Sequence, residues 1–354
     1  MQIPTNTPMR RVPQDYVTPE SVRWFTLPEG PNAGATLFYY DLQVGSGDPE
    51  GTVLMVHGNP ECSYTWRHVR DGLAASGRSL RIIAPDHLGF GLSDQARFEM
   101  VDMHHADHLR QLVAHLDLQD LTLLVHDWGG PIGIGALIDT PTRVRNLVVA
   151  NSTVFPMPPD GYTYRNFPYR VLPWSKTASW VPAAWWGAVA AYVVSHAHPQ
   201  PLHRFVAGFG RMLAQALDGS LTHDMNRPEA VWCAQFGSRI NQLASQRHVR
   251  QTPVWGHGYR YSVPGLGVQD NHAFYTNIQS RIGPVWGPAG QAIGAAGHFG
   301  GWDPCGKDSV IAQWQTALPQ MQMRRYPDAG HFVEEVKGAE IAADILTLIT
   351  AHPA

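Results

Sequence analysis

Three short stretches of this sequence place reactive side chains where nucleophilic chemistry could be run. In LLVHDWGG, Leu123 to Gly130, a buried apolar run ends at His126, a carboxylate follows at Asp127, and Gly129 and Gly130 open a helix. This is the spacing of a strand–turn–helix elbow, whose sharp tip exposes a nucleophile, most often serine. A carboxylate at that tip is already ionised at neutral pH and needs no base for a first attack. The competing reading is that Asp127 merely caps the helix, a favoured place for aspartate. HGNP, His57 to Pro60, follows an earlier apolar run and forms a loop able to lend an oxyanion donor. Pro60 has no N–H, so the backbone donor in this loop is Asn59, paired with the N–H of Trp128. His57 and Gly58 read as a tight turn. In PDAGHFVEE, Pro327 to Glu335, His331 lies between an apolar run and the last helical one. That is the place of a general base in the chain order nucleophile, acid, histidine.

These residues need elements that hold them, and the hydrophobic pattern supplies them. Val22 to Phe25 and Ala35 to Val44 open a sheet. Thr52 to His57, Leu80 to Pro85, Leu121 to His126 and Asn146 to Asn151 read as buried parallel strands. Met103 to Leu116 carries helical spacing, and Pro131 to Asp139 follows a strand directly. Residues 156–270 are rich in Trp, Tyr, Pro and His, with helical stretches and no strand pattern, which suits a helical cap over a pocket. The regular pattern resumes with Gln291 to Ala295, Met321 to Arg325 and a closing helix from Gly338 to Thr350. The expected fold class is α/β: a mostly parallel sheet flanked by helices, with an inserted helical cap. Residues 1–155 and 271–354 make up the core, and 156–270 the cap. Each candidate residue then sits just beyond a strand end, where open α/β sheets bind ligands.

Composition excludes several alternatives. A chain of 354 residues, 44% hydrophobic and 16% charged with a formal charge of -3, is an ordinary globular protein without a basic stripe for nucleic acid. Cys62, Cys233 and Cys305 lie far apart, without a CxxC, so no disulfide framework or structural zinc site is expected. The N-terminus has no apolar signal region. The most apolar run, Val181 to Ser195, is short for a bilayer span and reads as a helix beside a pocket. A cytoplasmic protein with no membrane span is expected.

HGNPECSYTWR (His57 to Arg67), PDHLGFGLSD (Pro85 to Asp94), VHDWGG (Val125 to Gly130) and DAGHFVEE (Asp328 to Glu335) together resemble the haloalkane dehalogenases of the α/β-hydrolase fold. The likeness spans nearly the whole core and fades in the cap. It implies that Asp127 displaces halide from an sp³ carbon, leaving an alkyl ester, and that His331 activates the water that hydrolyses it. It implies also that the side-chain N–H groups of Asn59 and Trp128 hold the departing halide. The expected partners are a small apolar halogenated substrate, water and halide ion, with no metal or organic cofactor. Members of that family place the acid after one of two strands. The first position here is Asn151, which carries no charge, so the acid is expected in GGWDPCGKD at Asp303, with Asp308 as second choice. Asp303 as a plain turn residue before Pro304 is the alternative.

Other features take simpler readings. His104, His105 and His108 in MHHADHL suggest a metal, since His at i and i+4 share a helix face, but no third ligand is predicted. Trp174, Trp180, Trp185 and Trp186 read as core packing, one of them a candidate for the halide pocket. Three rival functions stay open. An epoxide hydrolase would share Asp127, His331 and Asp303 but needs two cap tyrosines, for which Tyr162, Tyr164, Tyr169 and Tyr192 are candidates. A β-lactone decarboxylase of olefin biosynthesis resembles the third dehalogenase subgroup, and NSTVF, Asn151 to Phe155, resembles a segment of it. A ligand receptor without catalysis is the third, and the intact reactive set argues against it.

Overall fold

The computed structural model describes residues 2–351. Eight strands form one sheet: β1 (Val22–Thr26), β2 (Thr36–Val44), β3 (Thr52–Val56), β4 (Leu80–Pro85), β5 (Leu121–His126), β6 (Val144–Ala150), β7 (Gly294–Gly300) and β8 (Gln322–Tyr326). Their spatial order is β1-β2-β4-β3-β5-β6-β7-β8. β2 runs antiparallel to both β1 and β4, and the remaining pairs are parallel. This is the mostly parallel sheet that the apolar runs predict.

The central strands read as continuous apolar runs because both faces are covered. On β3, Leu54 and Val56 pack with helices α2 (Asp102–His115) and α3 (Gly129–Leu137), while Val53 and Met55 face the other way toward α1 (Arg67–Ala75) and the last helix. Each such valine or leucine removed from water contributes roughly 1.5–3 kcal/mol.

Between β6 and β7 lie α4 (Trp174–Trp180), α5 (Trp186–His196), α6 (Leu202–Leu217), α7 (Pro228–Ala234), α8 (Arg239–Gln251) and α9 (His272–Trp286). Two antiparallel ribbons, Pro168–Tyr169 with Leu172–Pro173 and Arg260–Val263 with Gly267–Asp270, interrupt a stretch expected to hold no strands. The first pairs only two residues a side, and in the second Arg260–Val263 alternates exposed and buried residues over only four positions. α10 (Asp308–Ala317) and α11 (Val333–Ala351) complete the chain.

Two expected elements shift. β7 occupies 294–300 rather than 291–295, because GAAGHFG carries none of the β-branched residues that mark a strand. Small residues are needed there: a Cβ on Gly300 would lie 2.2 Å from the Gly330 carbonyl oxygen. The loop bearing His331 can therefore lie directly against the strand end. α11 starts at Val333, five residues earlier than expected, and is kinked at Lys337 (φ -127°). The regular spacing from Gly338 onward is the part beyond the kink.

Candidate active site

β5 ends at His126, Asp127 adopts φ 48°, and α3 begins at Gly129. A left-handed backbone at a residue with a Cβ costs roughly 1–2 kcal/mol, and the surroundings hold it there. A Cβ on Gly129 would lie 2.0 Å from the Val56 carbonyl oxygen, so only glycine lets the turn rest on β3. Gly58 does more than turn the chain: a Cβ there would meet Asp127 Cβ at 2.5 Å. His57 is structural, with Nδ1 2.8 Å from the Gly58 carbonyl and Nε2 accepting the His87 backbone N–H.

Asp127 does not cap α3, which corrects that reading. The N-cap position is Trp128, with no side-chain cap. One carboxylate oxygen, Oδ2, accepts the Asn59 backbone N–H at 2.9 Å. The other, Oδ1, lies 3.4 Å from His331 Nε2. Burial pushes the Asp127 carboxyl up, but the His331 hydrogen bond and charge outweigh it and hold it below the usual carboxylate range.

The loop between β8 and α11 brings His331 over the sheet, and its Nδ1 makes a short hydrogen bond to Asp303 Oδ2. The other Asp303 oxygen accepts the Cys305 backbone N–H at 2.6 Å, so the turn before Pro304 is what aims the carboxylate. Asp308 lies on the surface beside Arg325, away from His331. Burial draws the His331 pKa down, yet the charges and hydrogen bonds of Asp303 and Asp127 carry it well above the ordinary value.

Residues without a sequence signature support this trio. Asn151 donates its amide to the carbonyls of Gly330 (2.8 Å) and His331 (2.6 Å) and accepts the Gly300 N–H (2.8 Å). His126 Nε2 also reaches the His331 carbonyl, at 2.9 Å, while Nδ1 lies 2.6 Å from Glu61 and Nε2 3.4 Å from Glu334. Burial, outweighed by Glu334 and Glu61, leaves the His126 pKa raised to about 9. Glu61, His126 and Glu334 are close enough to share a cation. Both His126 nitrogens already face protein oxygens, so the set reads as an ionic clamp behind His331.

Asn59 is fixed from the opposite side. The Trp186 indole N–H donates to Ser245 Oγ at 2.7 Å. The Ser245 hydroxyl must then donate onward, and it makes a short bond to Asn59 Oδ1. That orients the amide and leaves Asn59 Nδ2 buried with no partner. Trp128 stacks on Trp255 with ring centroids 3.9 Å apart and lies 5.4 Å from the His248 ring. A cavity of about 130 Å³ opens above Asn59 and His331, walled chiefly by Phe167, Leu172, Trp174, Val193 and Phe209. Trp128 does not line it.

The cap tryptophans separate. Trp174 lines the cavity and Trp186 is buried, whereas Trp180 and Trp185 are 54% and 37% exposed, contrary to core packing. Of the cap tyrosines, Tyr164 and Tyr192 reach the cavity. The Tyr164 hydroxyl faces Cys305 Sγ (3.5 Å), and the Tyr192 hydroxyl lies against Gly208 of α6. Tyr169 donates to the Gln200 carbonyl, and Tyr162 stands at the surface. The Tyr169 and Tyr192 hydroxyls both turn to Gln200.

His105 and His108 join His57, His87 and His248 in a buried imidazole cluster behind the elbow, while His104 faces Gln269. Burial lowers His87 to about 4, and His108 and His248 to about 3. The unfolded chain, titrating near 6.5, then holds the extra protons in mild acid. Stability should fall as pH drops below about 6.5, by roughly 2 kcal/mol per group at about pH 5. His126 acts oppositely, its contribution being complete below about 6.5 and lost as pH rises through about 9. Three depressed groups outweigh it, so the melting temperature should drop steeply between neutral pH and pH 5, and less so in His248→Phe. Equal melting temperatures at the two pH values would contradict this account.

Comparison with known proteins agrees with this architecture. The family model for the alpha/beta hydrolase fold matches residues 51–178. The chain is 27% identical over 326 residues to the cis-3-alkyl-4-alkyloxetan-2-one decarboxylase of Xanthomonas campestris, covering 88% of this chain and 92% of that one. It is 33% identical over 145 residues to haloalkane dehalogenase 2 of Mycobacterium tuberculosis, covering 41% and 46%. Among solved structures, the tetrameric haloalkane dehalogenase DpaA from Paraglaciecola agarilytica superimposes with a TM-score of 0.65 at 22% identity, over 95% of this chain and 94% of the other. The protein has the α/β-hydrolase fold.

Proposed function

We infer that this α/β-hydrolase converts haloalkanes to alcohol, halide and a proton through an alkyl ester on Asp127, with residues 156–270 acting as the cap that shapes the pocket. The observation that carries the reading is the Asn59 amide: buried beside the nucleophile, oriented through its oxygen, its N–H₂ left without a protein partner. An unpaired buried donor costs about 1–3 kcal/mol, and an anion leaving the substrate would satisfy it.

The reaction balances without a cofactor. An Asp127 oxygen attacks the sp³ carbon, the carbon–halogen bond breaks, and the halide departs with the bonding pair toward the Asn59 amide. Esterification removes the Asp127 charge, one of two that hold a proton on His331, so His331 becomes the stronger acid and gives up that proton. It then takes a proton from water, whose hydroxide attacks the ester carbonyl. The backbone N–H groups of Asn59 and Trp128 hold the oxyanion until the ester C–O bond breaks, and the alkoxide takes the proton of the Asp127 carboxyl so formed and leaves as alcohol. Asp303 steadies the imidazolium.

A second reading is decarboxylation of a four-membered lactone bearing two alkyl chains. It is favoured by the relative that bears this name and aligns over 88% of the chain, where the dehalogenase relative aligns over 41%. The same carboxylate and anion-facing amide would serve ring opening. Epoxide hydrolysis has less support, since the hydroxyls of the two cavity tyrosines, Tyr164 and Tyr192, are turned to Cys305 and to Gly208 of α6.

Incubating the protein with a haloalkane, an epoxide and a cis-3,4-dialkyl oxetan-2-one, and measuring halide, diol and carbon dioxide, decides among them. Halide release should be lost by about 10²–10³-fold in Asn59→Ala and by about tenfold in Ser245→Ala, the worth of one orienting hydrogen bond. Carbon dioxide from the lactone with no halide from any haloalkane would overturn the dehalogenase reading in favour of the second.

A further inference from the structure

The cap carries a charge pattern that the net charge conceals. Between Asp160 and Asp218 there is no Asp or Glu, while Arg165, Arg170, Lys176, Arg204 and Arg211 all fall within that stretch. All five are exposed, and the ion pairs of the described residues involve none of them. Glu229, the carboxylate that borders the same groove as Arg204 and Arg211, lies 3.8 Å from Arg227 instead.

The same stretch concentrates apolar side chains on the surface. Of nine exposed large hydrophobic side chains among the described residues, six lie there: Tyr162, Val171, Trp180, Trp185, Val206 and Leu217. Single exposed apolar residues are ordinary, but six with interleaved cations and no carboxylate are a pattern. Val206 and Leu217 are eleven residues apart on α6 and so share a face, with Arg204 and Arg211 on the opposite side of that helix. Leu172, Thr177, Val181, Val193 and Phe209 line the cavity yet are only half-buried, which places its mouth on this same part of the cap. Val171, Lys176 and Trp180 are their chain neighbours.

We propose that this face of the cap docks on an anionic phospholipid surface, so that an apolar substrate enters the cavity from the bilayer. Tryptophan and tyrosine favour the headgroup level, and arginine and lysine are drawn to anionic lipid. Lys176 and Trp180, four residues apart on α4, share a face, with Arg170 and Val171 just before that helix and Trp174 and Thr177 lining the cavity, a mixed apolar and cationic surface at its mouth suited to a membrane. A second copy is a poor occupant, because two-fold pairing of this face would set cations against cations. Among the described residues no helix is long and apolar enough to cross a membrane, so the contact lies on the surface.

Flotation with vesicles tests this on the full chain, whatever reaction the active site performs. The protein should float with mixed phosphatidylcholine–phosphatidylglycerol vesicles, float much less with phosphatidylcholine alone, and be released by salt. Arg170→Glu with Lys176→Glu should weaken binding by about 25-fold or more, taking about fivefold per cation. Trp180→Ala should reduce the blue shift of tryptophan fluorescence on vesicles. None of these three residues lines the cavity, so turnover of a short water-soluble substrate should be unchanged, which separates failed docking from a wrong reading of the reaction. The proposal is overturned by absence of vesicle binding, by equal binding of the charge-reversed variant, or by an oligomer that Val171→Asp dissociates, which would show a protein partner on this face.

Discussion

Replacing Asp127 with asparagine or alanine should reduce turnover by at least about 10⁴-fold, the scale of losing a nucleophile that acts as one unit with its base. Asparagine is the gentler probe, since it tolerates the left-handed backbone at φ 48°. Alanine removes every reactive atom but adds strain at the elbow, so its melting temperature should be the lower of the two. Both variants should stay folded, because the glycine contacts that shape the turn do not involve the carboxylate head alone. Product measured against a protein-free blank is the readout. Alanine at this position with near wild-type rates would end the ester mechanism, and with it both the dehalogenase and lactone readings.

His331→Phe separates the two half-reactions. The displacement needs only the carboxylate, which in the wild type is held ionised mainly by His331. In the variant, burial acts on Asp127 with less opposition, so the first step should be slower than in the wild type and require a higher pH. It should still run once: a single burst of halide, about one per active site, then arrest. Mass spectrometry should find the alkyl group on the peptide holding Asp127. Steady multiple turnover would remove His331 from the base role, and a burst without an alkylated peptide would remove the ester.

The core and the candidate site residues are legible because they obey local rules. β4 and β5 match their expected bounds because residues buried on both faces leave an uninterrupted apolar run. Asp127, His331 and Asp303 come together because each stands just beyond a strand end. What stayed hidden depends on contacts distant in the chain. Ser245 lies 186 residues from Asn59, and nothing around it in α8 marks it as part of a site. Asn151 was passed over for lacking charge, although an uncharged amide is what can both donate to two carbonyls and accept an N–H. β7 was misplaced because close packing against the His331 loop selects glycine over strand-forming residues.

The chain of hydrogen bonds from Trp186 through Ser245 to Asn59 joins two cap helices, α5 and α8, to a loop of the core. The amide that would face a leaving anion is therefore aimed from outside the core. Any motion that lifts these helices releases Asn59 to rotate, and anion affinity falls in the open form. Thermodynamic reciprocity makes the converse equally true: an anion on Asn59 favours the closed cap by the same free energy. Were the proposed halide to bind there, opening of these helices and its escape would be coupled in one event.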